Sequence, residues 1–249
     1  ASAQPKSLSV LVGPGGVGKT LIGKLMASIA LQKGSKVIIW DINTASITAT
    51  LSELQSLGSI FGYTIDITDL AAVKATAALV KKEQGRVDIL INNAGVMSDS
   101  SIIEMSDQLW DEAINLNLTA SFKLMRACAP DMVAKKWGRI INVSSQVALT
   151  GSADHAHYSA AKAGLLGLTY SAAKEYGKES ITVNAVLPGR IQTNMIAERS
   201  KGRLDEWLSQ TPLNRLGRPA EVADMITFLV SVIIASSSPG SFARKCFSI

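Results

Sequence analysis

Tyr158 and Lys162 stand four residues apart in Tyr158-Ser-Ala-Ala-Lys162-Ala-Gly-Leu, and thirteen residues earlier Ser145 closes the apolar run Ile140-Ile-Asn-Val-Ser-Ser145. The segment from Tyr158 to Tyr176 reads as a helix rich in Ala and Leu. Residues i and i+4 of a helix share a face, so the phenol and the ammonium are neighbours there. A free tyrosine titrates near pH ~10, too high for proton exchange at neutrality. A fixed cation beside it stabilises the phenolate and lowers that value, which makes tyrosine a usable general acid or base. A serine at a strand end can then hydrogen-bond the oxygen whose charge changes. On its own, the Tyr–Lys spacing is also that of an ordinary helix surface.

The elements that must position these groups alternate along the chain. Leu8–Val12, Lys36–Trp40, Ser59–Ile65, Asp88–Ile91, Arg139–Val143 and Ile181–Leu187 read as strands. Val17–Lys33, Thr44–Leu57, Asp69–Glu83, one long segment Ser106–Lys135 and Tyr158–Tyr176 read as helices between them, with a kink expected at Pro130. Such alternation requires crossover connections and therefore a parallel, doubly wound α/β sheet covered on both faces. The 249 residues fit one domain, residues 1–249, with no repeat or linker.

Composition narrows the function. The net charge of +5 is diffuse, and Lys81-Lys82 and Lys135-Lys136 are short pairs that suit solvated helix faces, so no nucleic-acid partner is expected. Cys128 and Cys246 have no metal-ligand spacing, and no metal is expected; Cys128 reads as a buried thiol suited to a reducing compartment. The longest apolar stretch, Val222 to Ala235, contains Asp224 and is too short to span a membrane. Ala1–Lys6 do not read as a signal peptide, and the cytoplasm or an organelle matrix is the expected location.

The glycine loop fits two motifs. Gly13, Gly15 and Gly18 satisfy G-x-G-x-x-G between a strand and a helix, a pattern that brings backbone close to a pyrophosphate. Gly13-Pro-Gly-Gly-Val-Gly18-Lys19-Thr20 is also a complete phosphate loop of nucleotide hydrolases. Residues 8–41 alone leave both readings open. Asp41 ends the second strand, twenty-three residues after Gly18, where a carboxylate can accept from both ribose hydroxyls. It would oppose a 2′-phosphate by up to ~4 kcal/mol at ~4 Å and an effective dielectric of ~20. Its structural alternative is a helix N-cap, and Lys19 pulls the other way by attracting a phosphate.

In order along the chain come the glycine loop, Asp41, Asp66-Ile67, Asn92-Asn93-Ala94-Gly95, Asn117, Ser145, Tyr158, Lys162 and Pro188-Gly189-Arg-Ile-Gln-Thr193. With these residues the chain resembles the short-chain dehydrogenase/reductases from about Leu8 to about Ser231, which implies a Rossmann fold. The resemblance implies that Gly13, Gly15, Gly16, Val17 and Gly18 meet the cofactor phosphates, although Val12 replaces the usual Thr and the loop is one residue short. It further implies that Asp66 and Ile67 flank the adenine, and that Asn93, Ala94 and Gly95 approach the cofactor from the fourth strand. Pro188, Gly189, Ile191 and Thr193 would hold the nicotinamide amide, and Tyr158 and Lys162 would contact the cofactor as well as the substrate. Asn117 would connect Lys162 to solvent through a water, with Asn115 as the competing assignment, and residues 191–212 would cover the substrate as a mobile lid.

These residues together imply an NAD(P)-dependent oxidoreductase for a ketone or secondary alcohol, with NAD(H) preferred over NADP(H). Catalysis falls to Asn117, Ser145, Tyr158 and Lys162; His155 and His157 are expected to be exposed bystanders. Asn142-Val-Ser-Ser145, Leu187-Pro-Gly189 and Arg215-Leu-Gly-Arg-Pro-Ala-Glu-Val-Ala223 are most like 3-oxoacyl-carrier-protein reductases, which brings an acyl-carrier-linked substrate into range beside sugar, steroid and other small alcohols. Two other classes stay in view, a nucleotide hydrolase and a silent dinucleotide-binding scaffold. A homodimer or homotetramer is expected. The resemblance stops in residues 232–249; residues after about Ser236 are expected to be poorly ordered or to pack irregularly, with no buried strand in Ser241–Ile249.

Overall fold

A computed structural model describes residues 8–12, 17–193, 196–197, 202–231 and 247–248. The aliphatic runs form strands β1 (Leu8–Val12), β2 (Lys36–Asp41), β3 (Ile60–Thr64), β4 (Ile89–Asn92), β5 (Gly138–Val143), β6 (Ile181–Leu187) and β7 (Phe247–Ser248). They make one sheet in the order β3-β2-β1-β4-β5-β6-β7, and every recorded pairing is parallel. The helices are α1 (Val17–Gln32), α2 (Thr44–Leu54), α3 (Leu70–Gln84), α4 (Asp107–Ile114), α5 (Ala120–Lys135), α6 (Val147–Thr150), α7 (Ala156–Tyr176), α8 (Leu204–Ser209) and α9 (Pro219–Ser231).

Alternate strand residues feed two separate cores, which is why the central strands read as continuous apolar runs. Ile38, Leu90 and Ile140 pack with Val73, Val80, Leu124 and Met132 on one face. Val37, Ile89, Ile91 and Ile141 pack with Ile22, Met26, Val222 and Ile226 on the other. The winding runs outward from β1 to β3 on one side and from β4 to β7 on the other. The reversal lies between β1 and β4, and a parallel sheet opens a crevice there, at the carboxyl ends of its strands.

Local chemistry sets the helix starts beside that crevice. Asn43 caps α2 by accepting from Ser46 N at 2.9 Å, and Asp69 caps α3 by accepting from Ala71 N at 2.7 Å and Ala72 N at 3.2 Å. The segment expected as one long helix is interrupted. A π-helical turn, Asn115–Thr119, separates α4 from α5, while α5 runs through Pro130. Such a turn widens the helix by one residue. Asn117 Nδ2 donates to Ala113 O at 2.9 Å, so a carbonyl at the point of widening keeps a donor.

Two further expectations change. The third strand is shorter than residues 59–65, so Asp66 and Ile67 lie in the turn beyond it rather than at its end. In the tail, Phe247 and Ser248 pair in parallel with Val186 and Leu187, so a short strand does form in the segment where none was expected. The expectation for residues 232–246 and Ile249 lies outside the described residues, as does that for Cys246.

Candidate active site

β5 ends at Val143, and the chain turns through Ser144 and Ser145 before reaching α7, which carries Tyr158 and Lys162. A hydrogen bond joins the side chains of Ser145 and Tyr158. Lys162 Nζ lies 5.7 Å from the centroid of the Tyr158 ring and donates to Val143 O at 2.8 Å. Ser144 Oγ donates to Lys162 O at 2.8 Å, so both the backbone and the side chain of the lysine are tied to the end of β5. Gly164, one half-turn on, allows α7 to approach the π-turn: a Cβ there would lie 2.7 Å from Leu118 Cδ2.

Burial governs the electrostatics. Tyr158 is 8% exposed and Lys162 1% exposed. Desolvation pushes the Tyr158 phenol above its ordinary value, and only the hydrogen bond from Ser145 works against it. The expected depression by Lys162 is therefore absent from this arrangement. Burial acts on the lysine as well and pulls it down to about 8, because the ammonium has exchanged water for one carbonyl.

Buried amides surround this pair. Asn92 Nδ2 donates to Asn142 Oδ1 at 2.8 Å, Asn142 Nδ2 to Thr169 Oγ1 at 2.9 Å, and Thr169 Oγ1 to Leu165 O at 2.7 Å. This chain of bonds crosses from β4 through β5 into α7. Asn117 is fully buried on the π-turn; its Nδ2 also donates to Val96 O at 3.1 Å, while its Oδ1 has no hydrogen-bond partner among the described residues. An acceptor so placed is costly to bury unless something donates to it.

Across the crevice, Asp41 ends β2 and is 5% exposed. Its Oδ1 accepts from Asn43 N at 2.9 Å, and burial holds its carboxyl above the usual carboxylate range against the pull of the Asn43 and Ile42 amides. The N-cap of α2 is Asn43 rather than Asp41. Asp66 is exposed and accepts from Thr68 N at 2.8 Å and Thr68 Oγ1 at 2.6 Å, with Ile67 buried beside it. Asn93, Ala94 and Gly95 are buried immediately after β4. Pro188 and Gly189 follow β6, with Pro188 O accepting from Gln146 N at 3.0 Å. Ile191 is buried and bridges to Gly217, and Thr193 Oγ1 accepts from Ile196 N at 3.3 Å. The sheet thus gathers Asp41, Asn93–Gly95, Ser145 and Pro188–Gly189 at its carboxyl edge. Of the glycine loop, Gly13, Gly15 and Gly16 lie outside the described residues, and Val17 and Gly18 open α1.

The histidines are not the exposed bystanders expected. His157 is fully buried in the first turn of α7, and burial lowers it from the usual imidazole range; Nε2 lies 3.1 Å from Ser98 Oγ. His155 is partly buried, and its Nε2 lies 2.6 Å from Asp99 Oδ1. The sequence signal for both was weak: two histidines just before a tyrosine, with their partners more than fifty residues away. Among the described residues no group of three or more His, Cys, Asp or Glu could hold a metal, and no helix is long and apolar enough to cross a membrane. Cys128 is buried, which pushes its thiol up to about 12.

A family model described as enoyl-(acyl carrier protein) reductase matches residues 16–235. The 3-oxoacyl-(acyl-carrier-protein) reductase FabG of Thermotoga maritima is 37% identical over 211 residues, covering 84% of this chain and 86% of that protein. The enzyme of the same name from Escherichia coli is 37% identical over 210 residues, covering 84% and 85%. In three dimensions the chain is similar to the crystal structure of NAD+-bound xylitol dehydrogenase, with a TM-score of 0.85 over 91% of this chain and 93% of that one at 23% identity.

Proposed function

The chain belongs to the short-chain dehydrogenase/reductase family and is an NAD(P)-dependent oxidoreductase acting on CH–OH groups, and from that premise we propose that it reduces 3-oxoacyl groups carried as thioesters, using NADH in preference to NADPH. The observation that carries the reading is the Ser145–Tyr158 hydrogen bond with Lys162 one turn along α7. The names of the relatives support the substrate class. The carboxylate at the end of β2 supports the cofactor preference.

The residues present fit a nicotinamide dinucleotide. Asp41 offers a buried carboxylate where the ribose of such a molecule lies in this fold, and the residues after β4 are small enough for close backbone approach. When bound, the nicotinamide supplies the hydride for the carbonyl carbon. Tyr158 and Ser145 hold the carbonyl oxygen from two sides, and Tyr158 delivers the proton as negative charge develops there. Lys162 keeps a positive charge one helical turn from the phenol, with N–H donors beyond the one given to Val143 O. Asn117, whose buried Oδ1 has no partner among the described residues, is suited to hold the water that returns a proton to Lys162. We also assign residues 1–249 to one catalytic domain, with residues 191–212 as a lid and the α4–α5 and α7 surfaces as the contact in a homodimer or homotetramer, acting in the cytoplasm or an organelle matrix.

The test is turnover of short 3-oxoacyl thioesters, free sugars and secondary alcohols, each with NADH and NADPH or their oxidised forms. Fastest turnover of a 3-oxoacyl thioester with NADH is expected. Turnover of a polyol and none of the thioesters would overturn the substrate assignment, and equal efficiency with both cofactors would overturn the preference.

A further inference from the structure

Four successive contacts fasten the loop after β4 along the start of α7 and the π-turn. Val96 O accepts from Asn117 Nδ2 at 3.1 Å, Ser98 Oγ lies 3.1 Å from His157 Nε2, Asp99 Oδ1 lies 2.6 Å from His155 Nε2, and Ser100 N donates to Asp154 O at 2.9 Å. The strap begins one residue after Gly95 and ends against the residues that lead into Tyr158. It therefore connects the turn beyond β4 to the helix that presents the phenol.

His155 holds this strap from both of its ring nitrogens. Its Nε2 faces a carboxylate oxygen, and its Nδ1 faces Ala153 O at 2.7 Å. Both oxygens are acceptors only, so both contacts are hydrogen bonds when His155 is an imidazolium. Ser152 Oγ, 3.0 Å from Nδ1, can adapt to either state, but the Ala153 carbonyl cannot. The titratable groups near His155 among the described residues include Asp99 from the strap, Asp154 just before it in the chain and His157 from its own helix; His157 is driven toward neutrality by burial first and by His155 next.

We propose that His155, paired with Asp99, is a positioning residue for the reaction assigned above: its ring, held at Nε2 by Asp99 and at Nδ1 by Ala153 O and Ser152 Oγ, clamps residues 96–100 to the start of α7 and so fixes where Tyr158 stands relative to Ser145 and the end of β4. An error of about 1 Å in such a group costs on the order of a hundredfold in rate. This inference rests on the oxidoreductase reading for its kinetic consequence and on the geometry alone for the clamp.

The experiment compares the full-length protein with His155→Gln and Asp99→Asn, measuring kcat and the cofactor KM separately and hydrogen exchange at the Ser100 amide. Both variants are expected to lose about tenfold or more in kcat with the cofactor KM little changed, and to exchange faster at Ser100. Wild-type kcat in both variants would overturn the proposal. Faster exchange with unchanged kinetics would also overturn it, since the strap would then be structural only. If His155→Gln does not fold, Asp99→Asn decides the outcome, because that side chain is 63% exposed. A wild-type protein that turns over no substrate would strike the oxidoreductase reading instead, and the Ser100 exchange difference would then judge the clamp by itself.

Discussion

In the half of the crevice formed by β4, β5 and α7, the polar side chains are held by partners distant in the chain: Lys162 by Val143 O, Asn142 by Asn92 and Thr169, and Asn117 by Val96 O. In the half formed by β2 and β3, Asp41 and Asp66 are held by the amides of Asn43 and Thr68, two residues on. The first half is built by tertiary packing and the second by local turns. Substituting a side chain that makes one of these long-range bonds in the first half should therefore disturb function and stability together. A substitution in the second should change recognition and little else.

The largest expected effect probes the first half at the group farthest from any structural duty. Tyr158→Phe removes one hydroxyl and keeps the ring, so kcat should fall by about a hundredfold or more while cofactor affinity stays near wild type. Steady-state turnover with a separate binding titration checks this, and a variant retaining more than about a tenth of wild-type activity would remove the tyrosine from its role. Lys162→Ala should behave differently, losing activity and weakening cofactor binding at once. If it altered only one of these, the two functions would belong to different groups and the comparison would break.

Asp41→Ala probes the second half. Removing the carboxylate relieves a repulsion of up to ~4 kcal/mol on a 2′-phosphate, so the ratio of NADH to NADPH efficiency should shrink by about tenfold or more while kcat with NADH changes little. An unchanged ratio would turn attention to Lys19. Asn142→Ala is the matched change on the other side: it leaves the amide of Asn92 and the hydroxyl of Thr169 short of a partner in a buried site and should cost about 1–3 kcal/mol of stability. Denaturant unfolding of the two variants side by side should show a loss for Asn142→Ala well beyond that for Asp41→Ala.

How far each half was legible follows from the same distinction. The strands and most helices were readable, because alternation between apolar runs and helical patterns is a local signal, and Ile181–Leu187 was recovered to the residue. Tyr158 and Lys162 were readable because both lie on one helix face. The π-turn at Asn115–Thr119 was not, since widening by one residue leaves no composition signal, although an Asn in mid-helix was a hint of it. The burial of His157 and the His155–Asp99 pair were also hidden, because their partners arrive from a loop more than fifty residues away. The direction in which Tyr158 shifts was misjudged for a related reason: sequence spacing shows the neighbouring cation but not the loss of water around both groups.

A further expected effect, read from its pH dependence, isolates the loss of water around Lys162. In the folded chain the lysine titrates near 8 because its ammonium is desolvated, whereas in the unfolded chain it keeps its ordinary value of 10.5. Between these values the unfolded state binds more protons than the folded state, so this group raises stability as pH increases from about 8 toward 10.5; below about 8 its burial is a cost in full. Lys162→Met keeps similar volume and removes the charge. The difference in unfolding free energy between Lys162→Met and wild type should therefore favour the variant at neutral pH and shrink as pH rises past 8, measured by denaturant unfolding at fixed ionic strength. A difference that stays constant across that range would mean the ammonium is not paying a burial cost in the folded protein. The first half of the crevice would then have to be held as loosely as the second.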